Sequence, residues 1–203
     1  MCKQIPILIA ILFLFDSCEQ RSDENASYAD SDNPLLKEWS TPYGVPPFDE
    51  IKDEHYYSAF QAAMAEHKKE VEAITNSADV PTFANTIEAL EYTGKALNRV
   101  ASVFFAVNGA HSNDSIRGVA RVIAPELSAH QDDITLNARL FSRVKIVYDQ
   151  MDNLELDPQK RKLLEDTHKS FVRSGVNVPE EDQPRLREIN KTLAELSQQF
   201  GQN

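Results

Sequence analysis

FANTIEALEYTGKALNRVASVFFAVN, the run from Phe83 to Asn108, decides the fold. Its apolar or small residues Phe83, Ile87, Leu90, Gly94, Leu97, Ala101 and Phe104 recur in steps of four and three. That spacing lines them along one face of a helix. The spacing predicts a single core helix, roughly 36 Å long at the standard rise per residue. Towards its end Val100, Val103, Phe105 and Val107 widen the stripe, so this helix needs packing partners on more than one side.

The surrounding chain offers such partners. It has 203 residues, 41% of them hydrophobic, which suffices for one sizeable packed domain. Only six glycines are present and the apolar residues keep helical spacing, so the short, turn-punctuated strands of a sandwich or barrel are not indicated. The expected fold class is all-α, about six helices in a bundle or orthogonal array. Acidic residues outnumber basic ones 32 to 21, for a formal charge of -11, and this balance repels a phosphate backbone. Nucleic acid is excluded as a partner on that ground. Both cysteines, Cys2 and Cys18, fall near the N-terminus, leaving the body without a thiol for a disulfide, a nucleophile or a zinc-thiolate site.

That N-terminus reads as an address. Lys3 precedes the apolar run Ile5 to Phe15, which is shorter than the roughly 20 residues a permanent spanning helix takes. It fits the roughly 7–15 residues of a secretory core, so residues 1–17 are expected to form a signal peptide. Ser17-Cys18 is similar to a bacterial lipoprotein cleavage site, with Cys18 the residue lipidated, although Phe15 and Asp16 depart from the usual small or aliphatic residues. Plain secretory cleavage and an uncleaved anchor remain alternatives. Residues 18–33 are polar and acidic, unable to repay the entropy of ordering, and read as a flexible tether. These features place the protein in a bacterial cell envelope, either attached to the membrane through a lipid or periplasmic.

The helical body is expected over residues 34–203. Four prolines in Asn33 to Ile51 keep that segment extended, and Trp39, Tyr43 and Phe48 are expected to anchor it across helices. Asp53 caps a first helix ending near Asn76. After the central helix, Asn113 or Asp114 caps one reaching Thr135, with Val119, Val122, Ile123, Leu127 and Ile134 inward and Pro125 kinking it. Asn137 caps the next, Asp157-Pro158 opens another that Gly175 stops, and Pro179 opens the last with Glu180, Glu181 and Asp182 in its first turn. Leu186, Ile189, Leu193, Leu196 and Phe200 give that last helix its own stripe.

Candidate chemistry is sparse. His67 lies beside an apolar stripe with Glu66 and Glu70 adjacent, but no second histidine sits one turn away, so a structural role is favoured over a metal pair. Glu165 with His168, and His130 with Asp133, have helical contact spacing and read as surface pairs more than as acid-base machinery. His55, His67, His111, His130 and His168 are followed by Tyr, Lys, Ser, Gln and Lys, so no H-E-x-x-H zinc motif occurs. Glycine motifs for dinucleotides, phosphates and the hydrolase elbow are also missing. No catalytic residue and no metal ligand is assigned. By its own residues the chain reads as a lipid-tethered helical module without a catalytic centre.

Longer runs carry a resemblance. Asn33 to Ile74, Thr82 to Gly94 (TFANTIEALEYTG), Arg99 to Asp114 (RVASVFFAVNGAHSND) and Phe171 to Asn203 resemble, in order, the N-terminal region of the neurolysin and thimet-oligopeptidase family of zinc metallopeptidases. The branch they resemble is the bacterial peptidyl-dipeptidase and oligopeptidase A one. The resemblance implies an all-helical peptidase whose two halves enclose a channel for short unstructured peptides, cut by a zinc-activated water, with dipeptides released from the C-terminal end. The family's zinc ligands and catalytic glutamate lie in a C-terminal region absent from this chain, so none of its residues inherits a catalytic role. The expected partners are therefore that missing catalytic half, short peptides, and a membrane through the lipid anchor. The alternative is a stand-alone tethered helical module that binds peptides without cutting them.

Overall fold

The computed structural model describes residues 32–201, and six long helices with no strand account for the fold among them. The all-α expectation holds. Residues 1–17, Cys18 and the tether up to residue 31 lie outside the described residues, as does the chain beyond Gly201.

Helix α1 (Asp53–Thr75) starts one residue after Lys52, whose backbone N–H donates to His55 Nδ1 at 3.1 Å. Asp53 and Glu54 put negative charge in its first turn, where the helix dipole favours it.

The expected single helix from Phe83 to Asn108 is not formed. A π-helical segment (Phe83–Glu88) runs into the one-turn α2 (Ala89–Glu91), the chain breaks at residues 92–94, and α3 (Lys95–Ala110) begins afresh. A backbone conformation and a contact from α1 make the break. Gly94 takes a left-handed φ of 70°, which glycine adopts without the Cβ penalty. Its N–H leaves the helical ladder and donates instead to Glu70 Oε2 of α1 at 2.7 Å. At the upstream end the segment is capped reciprocally: Asn85 N–H donates to Thr82 Oγ1 at 3.1 Å, and Thr82 N–H to Asn85 Oδ1 at 2.8 Å.

The break divides the stripe between two cores. Phe83 and Ile87 join Val71, Val144, Leu164 and Phe171 in one. Leu97, Val100 and Phe104 join Leu35, Phe60 and Ile123 in the other, where the Phe104 ring meets Tyr56 and Phe60 edge-on at 5.2 and 5.3 Å. Two helices run through both cores. α1 gives Phe60 and Met64 to the first and Val71 and Ile74 to the second, while α4 (Asp114–Thr135) gives Ile116 and Ile123 to the first and Ile134 to the second.

Asp53 does not cap α1, being its first residue with Lys52 at the cap position, whereas three later caps fall where expected. Asn113 Oδ1 accepts from Ile116 N–H at 2.8 Å, Asn137 Oδ1 accepts from Arg139 and Leu140 to open α5 (Ala138–Asp149), and Asp157 Oδ1 accepts from Lys160 N–H to open α6 (Pro158–Ser174). Gly175, at φ 97°, ends α6, and the buried Val176 donates its N–H back to Phe171 O.

Three expectations are corrected. Glu180, Glu181 and Asp182 precede α7 (Gln183–Gly201) in a turn whose N–H groups at Asp182 and Gln183 both return to Pro179 O. Val122 of α4 is exposed, and so are Ile189, Leu193, Leu196 and Phe200 of α7, a helix that buries no residue fully. In the N-terminal arm Trp39 anchors, resting under Arg99, whose guanidinium lies 5.5 Å over the ring and donates to Leu35 O and Leu36 O. Tyr43 and Phe48 do not anchor and stand exposed. Asn33 and Leu35, both fully buried, do the anchoring in their place: Asn33 Nδ2 donates to His55 O at 2.8 Å and Ser58 Oγ at 3.2 Å.

Candidate functional site

At the boundary between the two cores α1, α4 and the 92–94 joint meet. His67 sits on α1 between Met64 and Val71, and His130 sits on α4 between Ile123 and Ile134, so both face the seam. His130 Nε2 lies 3.0 Å from His67 Nδ1, and His67 Nε2 lies 3.1 Å from Thr93 Oγ1. The sequence offered His67 no partner on its own helix, and the fold supplies one from another. Burial holds both imidazoles below the usual histidine range. Glu70 pulls His67 the other way, whereas each charge on His67 or Lys68 pushes His130 further down against the pull of Asp133.

His67 and Thr93 form part of the wall of an open cleft of about 440 Å³ between the 83–94 segment, α4 and α6. Leu90, Ile134, Leu163 and Phe171 give its lining apolar surface, Gln131, Thr135, Thr167 and Ser170 neutral hydrogen-bonding groups, and Glu91 and Asp166 two carboxylates. Such a surface suits a ligand with a peptide-like mix of apolar and amide groups.

The two pairs read from helical spacing do not form. Asp133 pairs with Arg187 of α7 at 2.8 Å instead of with His130. His168 leaves Glu165 and stacks on Tyr148 at 3.9 Å, nearly parallel, with Phe141 beyond; burial lowers its pKa too. Among the described residues no three histidine, cysteine or carboxylate groups converge as metal ligands. Cys18 lies outside the described residues.

Two buried charges escaped notice in the sequence. Asp132, 5% exposed, accepts from Asn190 Nδ2 at 2.7 Å, and burial pushes its carboxyl up against the opposing pull of that bond and of Arg187. Arg143 lies buried in α5 and ties it to the loop after α1, donating from one nitrogen to Ser77 O and Asp79 O at 3.0 and 3.1 Å. Neither carries a motif; only the packing of its helix reveals it.

No protein-family model matches the chain. It is 43% identical over 172 residues to the dipeptidyl carboxypeptidase of Salmonella typhimurium and 39% identical over 170 residues to that of Escherichia coli. It is 26% identical over 171 residues to the oligopeptidase A of Escherichia coli. These matches take in 84–85% of this chain but 25% of each relative. Its homologues are dipeptidyl carboxypeptidases and oligopeptidases A, and it spans about a quarter of the length of the curated relatives it matches.

Proposed function

We propose that the chain is the N-terminal, channel-wall portion of a zinc metallopeptidase that releases dipeptides from the C-terminal ends of short peptides. The observation that carries this is the 43% identity confined to 25% of a dipeptidyl carboxypeptidase. Among the described residues no three His, Cys, Asp or Glu groups are placed as metal ligands, and catalytic zinc takes three protein ligands. No hydrolytic step is therefore assigned to these residues. The ligands and the catalytic glutamate belong to the catalytic half, which is the chain's partner in this reading.

Sequencing the DNA beyond the codon for Asn203, together with the mass of the native product, tests the proposal. A long product carrying H-E-x-x-H supports it; an abundant short product followed by unrelated sequence overturns it. The purified chain alone is expected to show no chelator-sensitive peptidase activity.

The leader adds a location. Cys18 is proposed as a lipid attachment site holding the protein at a bacterial membrane, checked by labelling with a fatty acid and its loss in Cys18→Ser. The polar cleft beside His67 favours a second reading, peptide binding without chemistry. Calorimetric titration with unstructured peptides decides it, and an absence of saturable binding rules it out.

A further inference from the structure

Asp132 is a buried charge that the cleft beside His67 does not use. Its Oδ1 accepts from Asn190 Nδ2 at 2.7 Å, whereas its Oδ2 is buried with no hydrogen-bond partner among the described residues. Arg187 acts on it only at a distance, because that guanidinium forms its ion pair with Asp133 at 2.8 Å. A carboxylate oxygen buried in this way has lost its hydration and gained no donor in return.

The Asp132 side chain forms part of the wall of a second cavity, of about 350 Å³, between α4, the end of α6 and α7. That is the size of a small-molecule pocket, for which about 300–1,000 Å³ is usual. Arg173, in the last turn of α6, brings a guanidinium to the same cavity and has no hydrogen-bond or ion-pair partner among the described residues. Leu186 and Leu193 of α7 add apolar surface.

Opposite charges in one cavity select against simple ions. An anion is repelled by Asp132 and a cation by Arg173, whereas a molecule carrying both charges satisfies both. Its ammonium supplies the donor that Oδ2 lacks, and its carboxylate fits the guanidinium fork. We propose that this cavity binds a small apolar zwitterion, an α-amino acid or a short peptide, with its ammonium on Asp132, its carboxylate on Arg173 and its side chain against Leu186 and Leu193. Oδ2 is closed to solvent, so entry of the ammonium requires a shift on the α7 side of the cavity. There Asn190 is half-buried, and α7 buries no residue fully. The proposal needs neither zinc nor a catalytic half, and so stands apart from the peptidase reading.

Gln131 and Thr135 line both this cavity and the cleft beside His67, so the two adjoin along α4. Arg173 and Asn190 report on the cavity alone, Thr93 and Leu163 on the cleft alone.

The test is a titration of the whole ¹⁵N-labelled 203-residue chain, followed by amide and side-chain shifts. The probes are L-leucine and glycyl-L-leucine, which differ in the distance between their charges, with N-acetyl-L-leucine and L-leucinamide as controls that lack the ammonium and the carboxylate. One of the two zwitterions is expected to give saturable shifts centred on Arg173 and Asn190, and each control to bind about tenfold more weakly, as loss of a hydrogen bond between charged groups implies. Asp132→Asn keeps an oxygen for Asn190 and puts an N–H donor where the bare oxygen was; it should weaken the zwitterion about tenfold and leave N-acetyl-L-leucine unchanged. Arg173→Gln, at an exposed position, should weaken the zwitterion and leave L-leucinamide unchanged. Absence of saturation by both zwitterions, shifts centred on Thr93 and Leu163, controls that bind as tightly as the zwitterion, or an unchanged affinity in either variant overturns the proposal. The controls pose the question to the unsubstituted chain, so misfolding of a variant leaves the test intact.

Discussion

Asp132 and the histidine pair pull the pH dependence of stability in opposite directions. His67 and His130 have folded-state pKa values below the ordinary 6.5, so the unfolded chain binds more protons. Their contribution is complete above 6.5 and is lost as pH falls through the folded values. Asp132 has a folded pKa above 3.8, so its burial penalty is absent in strong acid and grows as pH rises through the window above 3.8. Urea midpoints against pH should show Asp132→Asn gaining on the parent as pH rises, and a double His67→Gln, His130→Gln variant flattening the loss near pH 6. At Gly94 an alanine must take φ 70° with its Cβ 3.0 Å from the His67 ring. Gly94→Ala is expected to lose about 1–2 kcal/mol from the backbone alone, read as a lower urea midpoint, and to disturb the His67 imidazole shifts. His67 itself was legible as a structural residue beside an apolar stripe. Its partner was not: His130 is 63 positions away, and periodicity within a helix carries no information about which turn of another helix lies opposite.

The starts and stops of the helices were the most legible features, because a cap is local chemistry. Asn113, Asn137, Asp157 and Gly175 each act where the sequence placed them, on N–H or C=O groups within a few residues. Asn137→Ala orphans the N–H groups of Arg139 and Leu140 and should cost about 1 kcal/mol, measured as a fall in Tm. The break at 92–94 was illegible for the opposite reason. Phe83, Ile87, Leu90, Gly94 and Leu97 keep helical spacing through it, and glycine within such a pattern is tolerated. What ends the helix is the Glu70 carboxylate, which belongs to α1 and offers Gly94 N–H a better acceptor than its own ladder. The acids before α7 were misplaced by a few residues for a related reason: a turn through Pro179 O takes up the N–H groups that a helix starting at Pro179 would have used.

At the scale of the molecule, the all-helical class followed from spacing and composition, whereas the division into two cores did not, since it depends on the break. Phe104 lies at the centre of the first core, fully buried between Tyr56 and Phe60. Phe104→Ala should cost about 3–5 kcal/mol, which for a domain this size approaches unfolding by denaturant titration. The apolar line of Leu193, Leu196 and the 83% exposed Phe200 is expected to bind a hydrophobic dye and drive self-association, both reduced in Leu193→Ser, Leu196→Ser. A dye-silent monomer by size exclusion would contradict this. The buried arm has a mechanical consequence. Among the described residues, a pull from the N-terminal side is met at Asn33 and Leu35, which are pinned to α1 and, through Arg99, to α3. Load entering there spreads sideways into the first core before it can unzip any helix from its end, so the plug acts as a strain relief for the seam and cleft behind it.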